Sequence, residues 1–561
     1  MSSEGECARD LFRTLAYKGF RRDRSQTGTY LFTGTLPVAG REVGVAIEFR
    51  DLEFTRLPKL TLLNPDDETP DFVAHLEASG ALCFARNEDL VLDRYDVGGT
   101  ALMCLELARR GLERALTHKR LQGEIAQEFP QHWLGENFYY DVEETVNCRA
   151  KFHSVPRDGS TALLFLADTG EKLKRLVPGK ADRRRIAGSS RPAFVFRSDR
   201  ELTFPPGFRQ PRTLEEFLAW LEAMVPGGTD RALKELSSEF PGAPVPLFVR
   251  AENGCIGISV DANDAALRGA QRREGFRRIA RTNAGRVEVE RLSGARIDLP
   301  TIFGRNMHKQ SPLTGRRIAL IGCGTIGSHL AKFLVQSGAG HDGGVLLLID
   351  NQSFEPGNVG RHYLGTARIG EWKAEAVKQE LQCQFPEAQI QAVRTGAEGM
   401  LASLASYDLV VDSTGEEALS LALNHGFVAR RGEKERVPDV IHVWLFGNGA
   451  AGQALLVDGP QFACFKCLKP DHEGRWRFDP LKSGTKVEQT AAACGEAQYI
   501  AYGVAAPTMA AALGLQLVLD WNGGDPAPRL RTIRVEKKVT VEVKDRNPPP
   551  SVRCPACARS S

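Results

Sequence analysis

The chain has little excess of charge of either sign: 73 Lys and Arg stand against 70 Asp and Glu, a formal net charge of +3. A general attraction to nucleic acid or to an anionic membrane surface is therefore not expected, although local patches remain open. It also lacks a long unbroken apolar run. The longest one, Tyr502 to Trp521, is interrupted by Pro507, Thr508, Gln516 and Asp520, which predicts a core helix rather than a membrane span. The start, MSSEGECARDLFRTL, has neither the basic opening nor the apolar block of a secretory signal, so a cytoplasmic protein is expected. There is no internal repeat, no low-complexity stretch and no histidine set with metal-ligand spacing. What remains is a globular composition, 42% hydrophobic, 25% charged and 8% aromatic, in 561 residues, too many for one ordinary domain. Twelve cysteines without an export signal point to a reducing compartment, where thiols serve as metal ligands or nucleophiles.

Three regions differ in pattern. In residues 1–140 a helix (Glu6 to Lys18) precedes Tyr30 to Val38, a turn at Gly40, and a segment where Val43, Val45, Ile47 and Phe49 alternate with other residues, as in a half-buried strand. A third strand (Leu60 to Leu63), a long loop, a helix over Ala101 to Leu116 and a last one ending near Trp133 complete a helix-first meander. Residues 141–300 carry turn clusters and basic runs but no motif; a helix over Leu214 to Met224 and a buried strand over Leu163 to Leu166 predict a folded connecting domain. Residues 301–561 alternate strands and helices, with apolar strands at Ile318 to Ile321, Val345 to Ile349 and Leu409 to Val411, which predicts a doubly wound parallel sheet.

Gly322-Cys323-Gly324-Thr325-Ile326-Gly327 follows the first of these strands and opens a helix, and Asp350 ends the next strand. Glycines let backbone amides approach a phosphate at a helix N-terminus, and the acid accepts ribose hydroxyls. Gly322, Gly324, Gly327 and Asp350 are thus candidate nucleotide ligands; the glycines alone leave NAD and ATP both open. Cys464 and Cys467 with Cys554 and Cys557 form two Cys-x-x-Cys pairs suited to a structural, tetrahedral Zn2+.

Beyond Asp350 come Asn358, Arg361-His362 and Gly370-Glu371-Trp372-Lys373. This ordered series resembles the ATP-dependent adenylation domain shared by ubiquitin-activating enzymes and ThiF-type sulfur-carrier activators. The resemblance implies ATP and Mg2+ as cofactors, Asn358 and Asp412 among the binding residues, and Arg361 and Lys373 as the cations that clamp the α-phosphate while a peptide carboxylate attacks it. Arg305, in Phe303-Gly304-Arg305-Asn306, sits where the family places an arginine that reaches the partner subunit's ATP, which implies a homodimer. One departure concerns Asp412-Ser413-Thr414-Gly415: Gly415 stands where the family has a second acid, a magnesium ligand. Glu416 and Glu417 are candidate replacements, and Asp412 also reads as a strand-end cap.

Two thiols have the context of nucleophiles. Cys494 lies in a loop-like Thr490 to Glu496 segment, where activating enzymes carry a catalytic cysteine that would take the acyl group as a thioester. Cys83, in His75-Leu76-Glu77 to Gly80-Ala81-Leu82-Cys83, resembles the catalytic segment of ubiquitin-conjugating enzymes, with Leu76-Glu77 in place of Pro-Asn. The oxyanion-stabilising asparagine is missing, leaving His75, Glu77 or another loop group for that role. Cys7, Cys104, Cys148, Cys255, Cys323 and Cys383 read as packing residues.

A conjugating-like unit, a connecting region and an activating-like unit, in that order, resemble the bacterial fusion proteins of cyclic-oligonucleotide-based antiphage signalling systems (CBASS). The fold class expected is a multidomain α/β protein: an N-terminal α+β ubiquitin-conjugating-like domain (1–140), a connecting α+β domain (141–300) and a doubly wound ThiF-type adenylation domain with a structural zinc (301–561). The resemblance implies a ligation in antiviral defence that attaches the C-terminus of a protein modifier, a cyclic-nucleotide synthase, to a target protein amine. The alternatives are a sulfur-carrier activator in which Cys83 is idle, an NAD-dependent oxidoreductase, and a non-catalytic scaffold that has kept a nucleotide site.

Overall fold

The computed structural model describes residues 3–24, 29–64, 75–76, 80–85, 90, 92–117, 126, 129–143, 147–157, 160–177, 190–205, 208–307, 309–469, 476–490 and 499–557. The chain divides into two compact units, Met1–Ile297 and Asp298–Ser561.

The first unit begins with helix Ser3–Tyr17 and an antiparallel sheet, β1 (Arg21–Asp23), β2 (Tyr30–Val38), β3 (Arg41–Phe49), β4 (Lys59–Leu62) and β5 (Ala81–Leu82), whose spatial order is the chain order. β2 and β3 are joined through Ala39 and Gly40, both at positive φ (51° and 82°), the geometry that matches a two-residue hairpin to the twist of its strands. Val43, Val45, Ile47 and Phe49 all face the core, as their alternation predicts. There they meet Leu11 and Leu15 of the first helix and Ala101, Leu105, Ala108 and Leu112 of helix Val97–Thr117. β5 ends one residue before Cys83, so the sheet itself carries that thiol.

The rest of this unit is a closed seven-stranded barrel. Its strands are β6 (Glu136–Asp141), β7 (Cys148–Arg157), β8 (Ser160–Ala167), β9 (Arg191–Arg197), β10 (Leu247–Ala251), β11 (Gly254–Val260) and β12 (Val289–Arg296). They run β10-β11-β12-β6-β8-β7-β9 around the barrel, and parallel pairing of β9 with β10 closes it, leaving no open edge to template aggregation. Phe138, Tyr140, Phe152, Leu166, Val195 and Phe248 fill one side of the strands. Helix Leu214–Met224, with the Thr213–Glu216 capping box, packs on the other side, where its Phe217 and Trp220 join Phe129, Trp133 and Phe204 in one cluster.

The second unit holds a seven-stranded sheet. In chain order its strands are β13 (Arg317–Ile321), β14 (Val345–Ile349), β15 (Ile390–Val393), β16 (Leu409–Asp412), β17 (Asp439–Phe446), β18 (Ala451–Val457) and, beyond a short ribbon of β19 (Gln489–Thr490) and β20 (Tyr499–Ile500), β21 (Leu530–Arg534). The spatial order is β15-β14-β13-β16-β17-β18-β21, with the first five strands parallel. Both faces are buried. Ile318, Leu320, Leu346 and Leu348 pack with helices Thr325–Gln336, Lys373–Gln384 and Ala505–Asn522, whereas Ala319, Ile321, Leu347 and Val410 pack with helix Glu417–Gly432. This explains why the strands read as continuous apolar runs. Among the described residues no helix is long and apolar enough to cross a membrane. Strand order reverses between β13 and β16, and a ligand crevice is expected beyond their carboxyl ends.

Candidate functional site

A cavity opens at that switch point. From β13 the chain turns at Gly322, whose φ of +87° suits only glycine and where a Cβ would press on the Thr414 backbone at 3.0 Å. Helix Thr325–Gln336 then begins at Gly324 with no side-chain cap, so its first amides need an outside acceptor. A Cβ at Gly327 would collide with the Gly322 carbonyl, so this glycine lets the helix sit tightly against the loop. Gly322, Gly324 and Thr325 line the cavity with Asp350, Gln352, Glu398, Thr414, Gly415, Glu416 and Tyr502.

Asp350 fixes the loop to the end of β14: one carboxylate oxygen accepts the Cys323 amide at 2.7 Å and the other the Gln352 amide at 2.8 Å. A carboxylate offers about four acceptor sites, so capacity remains for a ribose. His362 braces the loop from below. Its Nε2 bonds the Cys323 carbonyl at 2.7 Å and its Nδ1 accepts the Leu364 amide at 3.1 Å, which sets a neutral tautomer, and burial pushes its pKa down to about 4.

The cations of the ordered series sit one residue back from the cavity wall. Lys373 is buried and its Nζ donates to the Gln352 side chain at 2.7 Å. Arg361 donates to the Ile500 carbonyl at 3.1 Å and its guanidinium lies 4.6 Å from the centre of the Tyr502 ring. Ile500, Tyr502 and Gln352 all line the cavity. Asn358 stands apart as a cap: its side chain accepts the Glu355 amide at 3.0 Å in a reciprocal capping box. Arg305 caps the short helix Leu299–Gly304 and is exposed.

Asp412 does not line the cavity. It is 1% exposed and accepts bonds from the Thr414 amide (3.1 Å), the Thr414 hydroxyl (2.7 Å), His442 Nδ1 (2.8 Å) and the Ser420 hydroxyl. Burial opposes its ionisation, but the bonds from His442, Ser420 and Thr414 prevail and hold its carboxyl below the usual range. Gly415, at the position of the missing second acid, faces the cavity with φ +69°. Of the two glutamates that follow, Glu416 lines the cavity, whereas Glu417 pairs with Lys469 at 2.6 Å. Glu398, beyond the end of β15, is a further carboxylate in the wall beside Asp350 and Glu416. The sequence reading passed over Glu398 and Tyr502; the strand ending just before Thr395-Gly396-Ala397-Glu398 was the available signal for Glu398.

In the first unit Cys83 is exposed directly after β5, and its amide donates to the His75 carbonyl at 2.8 Å. His75, at φ +62°, is thereby held beside the thiol's own backbone. Cys104, Cys255 and Cys323 are buried, Cys7 and Cys148 are partly buried, and Cys383 is exposed, contrary to a packing role for it. Burial pushes the Cys323 thiol well above its ordinary pKa, which leaves it a poor nucleophile. Cys494 and Glu77 lie outside the described residues.

The four remaining cysteines converge. Sγ atoms of Cys464, Cys467, Cys554 and Cys557 all lie within 4.8 Å of one another, with separations of 3.8 Å (Cys464–Cys467), 3.8 Å (Cys464–Cys554), 3.5 Å (Cys467–Cys557) and 3.4 Å (Cys464–Cys557). These are too long for disulfides and close to the edge of about 3.8 Å that a tetrahedron with 2.3 Å zinc–sulfur bonds would have. The Ser551 amide donates to Cys467 Sγ at 3.3 Å and Asn424 to Cys464 Sγ at 3.5 Å, as suits thiolates bound to a cation. The donor set fits a closed zinc site.

A ThiF family model matches residues 297–556, and a Prokaryotic E2 family B model matches residues 8–140. The ATP-dependent ubiquitin transferase-like protein Cap2 of Pseudomonas aeruginosa is 30% identical over 576 residues, covering 99% of this chain and 100% of the relative. The protein of the same name from Vibrio cholerae is 26% identical over 489 residues, 82% of each chain. Among solved structures, Escherichia coli MccB with MccA-N7isoASN aligns over 43% of this chain and 67% of its own at 20% identity, with a TM-score of 0.33.

Proposed function

Because this chain belongs to the Cap2 family of ATP-dependent ubiquitin transferase-like proteins, we propose that it adenylates the C-terminal carboxylate of a partner protein and conjugates that protein to a target amine. The observation that carries this reading is the pairing, in one chain, of a glycine-loop cavity at a sheet switch point with an exposed thiol at the end of β5.

In the first step a carboxylate oxygen of the modifier attacks the α-phosphorus of ATP, and the bond to the bridging oxygen breaks to release pyrophosphate. The uncapped amides of helix Thr325–Gln336 receive phosphate oxygens. Asp350 takes the ribose, and Arg361 and Lys373 move from their resting partners to meet the charge that builds on phosphorus. Magnesium would neutralise the departing pyrophosphate, and Glu416 and Glu398 are the carboxylates in the wall that would hold it in place of the second acid lost at Gly415. Arg305 serves the neighbouring subunit's nucleotide in a homodimer.

Next, the Cys494 thiolate attacks the acyl adenylate, forming a thioester and releasing AMP. Cys83 attacks that thioester, and Cys494 leaves as thiolate. Finally an amine attacks the Cys83 thioester, forms an amide and frees the thiol. Joining both thiols in one chain raises their effective concentration for the handover. A zinc held by the four cysteines would be structural, because four protein thiolates would leave it no position for substrate. In a CBASS setting the modifier would be the cyclic-nucleotide synthase.

The test is ATP–pyrophosphate exchange in the presence of peptides ending in the C-terminal sequences of proteins encoded beside this one. Exchange that needs a free C-terminal carboxylate supports the reading. Exchange absent with every such peptide, together with tight NAD binding, overturns it in favour of an oxidoreductase.

A further inference from the structure

The loop that supplies Thr414 and Gly415 to the nucleotide cavity is not held by its own residues alone. Two of the bonds to Asp412 are local, from the Thr414 amide and hydroxyl, but the other two come from different elements. His442 lies on β17, opposite Asp412 in the parallel register, and donates from Nδ1 at 2.8 Å. Ser420 lies in the first turns of helix Glu417–Gly432. Both are at most 4% exposed. A carboxylate with four donors around it has no freedom to swing, so β17 and this helix together fix the height at which Thr414 abuts Gly322.

Each of those two donors is in turn braced from the four-cysteine cluster. The His442 ring packs against Phe465 with ring centres 4.6 Å apart, and Phe465 lies between Cys464 and Cys467 in the chain. One turn beyond Ser420 on the same helix, Asn424 accepts the Phe465 amide at 2.9 Å and donates to Cys464 Sγ at 3.5 Å. Nε2 of His442 is buried with no hydrogen-bond partner among the described residues, so contact with Phe465 and the bond to Asp412 are what orient the ring. One line of contacts therefore runs from the cysteine cluster through Phe465 to His442, a second reaches Asn424 and continues along its helix to Ser420, and both meet at Asp412 behind the cavity wall.

We propose that His442 and Ser420 are positioning residues of the nucleotide site, acting through Asp412 on the Thr414–Gly415 turn, and that the four-cysteine cluster sets their position by way of Phe465 and Asn424. This rests on the reading of the cavity as the ATP site. It gives the metal site a role in nucleotide affinity as well as in stability.

The experiment is equilibrium binding of Mg-ATP to the full-length protein well below its melting transition, with melting temperature and zinc content measured on the same samples. His442→Leu, which removes the donor to Asp412, is expected to raise the Kd for ATP about tenfold, the effect of losing one hydrogen bond to a charged group. His442→Asn keeps a donor near the Nδ1 position and should recover most of that affinity. Ser420→Ala deletes only a hydroxyl and carries the same test if His442→Leu does not fold. Asn424→Ala, remote from the cavity lining, should weaken ATP binding together with zinc retention, as should removal of the metal by a chelator. Variants that melt earlier but bind ATP with the wild-type Kd would overturn the positioning role. An unchanged Kd in folded Asn424→Ala protein that has lost its zinc would overturn the link to the cluster. Wild-type protein that binds no ATP would overturn the nucleotide reading itself, and the proposal with it.

Discussion

Gly327 and Gly324 belong to one motif but should fail for different reasons when a methyl group is added. At Gly327 a Cβ would collide with the Gly322 carbonyl oxygen, lie 2.5 Å from Ser413 Oγ and lie 2.9 Å from the Gly322 carbonyl carbon. Two of these obstacles are backbone atoms, so restoring ordinary separations requires helix Thr325–Gln336 to move by on the order of 1 Å. Overpacking of this kind costs about 3 kcal/mol, and the better helix propensity of alanine offsets about 1 kcal/mol. Gly327→Ala should therefore lose about 2 kcal/mol, which lowers the melting temperature of a unit this size by roughly 5 °C. At Gly324 a Cβ meets no atom within 4 Å and φ is −75°, so Gly324→Ala should cost no more than about 1 kcal/mol. Its methyl group, however, stands in the cavity where backbone must approach phosphate closely. Thermal melts with and without Mg-ATP separate the two effects. Gly324→Ala should melt near the wild type and lose the ATP-induced shift, whereas Gly327→Ala should melt lower even without ligand. A full ATP shift in Gly324→Ala, or a wild-type melting temperature in Gly327→Ala, would refute the account of the loop.

Other consequences are equally direct. The protein should contain one zinc per chain by elemental analysis, and Cys464→Ser should lose it and lower the melting temperature; full stability without metal would contradict a structural site. Acid should destabilise the second unit through His362, which stays neutral in the folded chain down to a pKa of about 4 against 6.5 when free. Its contribution is complete above pH 6.5 and is lost as the pH falls from there to about 4, because the unfolded chain takes up the proton first, a change of about 3 kcal/mol. Burial depresses His329 and His341 in the same direction. Melting temperature should thus fall between pH 7 and pH 4.5, and His362→Gln should flatten that slope. Lys373→Ala should slow pyrophosphate exchange at least about a hundredfold while leaving ATP bound; unchanged exchange would remove Lys373 from the chemistry.

Much of this was legible in the residues because the patterns are local. The alternation of Val43, Val45, Ile47 and Phe49 marks β3, and the apolar runs at β13, β14 and β16 mark a parallel sheet buried on both faces. The glycine loop, Asp350 and the two cysteine pairs declare themselves by spacing, and the structure brings each set together. The barrel was not legible. It closes through parallel pairs such as β12 with β6 and β9 with β10, which join strands far apart in the chain and leave no short-range signal. The choice between the two readings of Asp412, nucleotide ligand or strand-end cap, was equally hidden. Whether a strand-end acid faces a ligand or turns inward depends on what lies beside it, here His442 and Ser420, and neither is marked by any motif. Glu398 escaped for a related reason: it reaches the wall from β15, two strands from the glycine loop's own strand.

The central claim is a transfer through two thiols, and a non-reducing denaturing gel tests it most directly. Purified protein, Mg-ATP and proteins encoded beside it are mixed, with the wild type compared against Cys83→Ala and Cys494→Ala. The account predicts a thiol-sensitive adduct that needs ATP, fails to form in Cys494→Ala and accumulates on Cys494 in Cys83→Ala. An adduct that forms normally without either cysteine, or pyrophosphate release with no adduct from any partner, would contradict it.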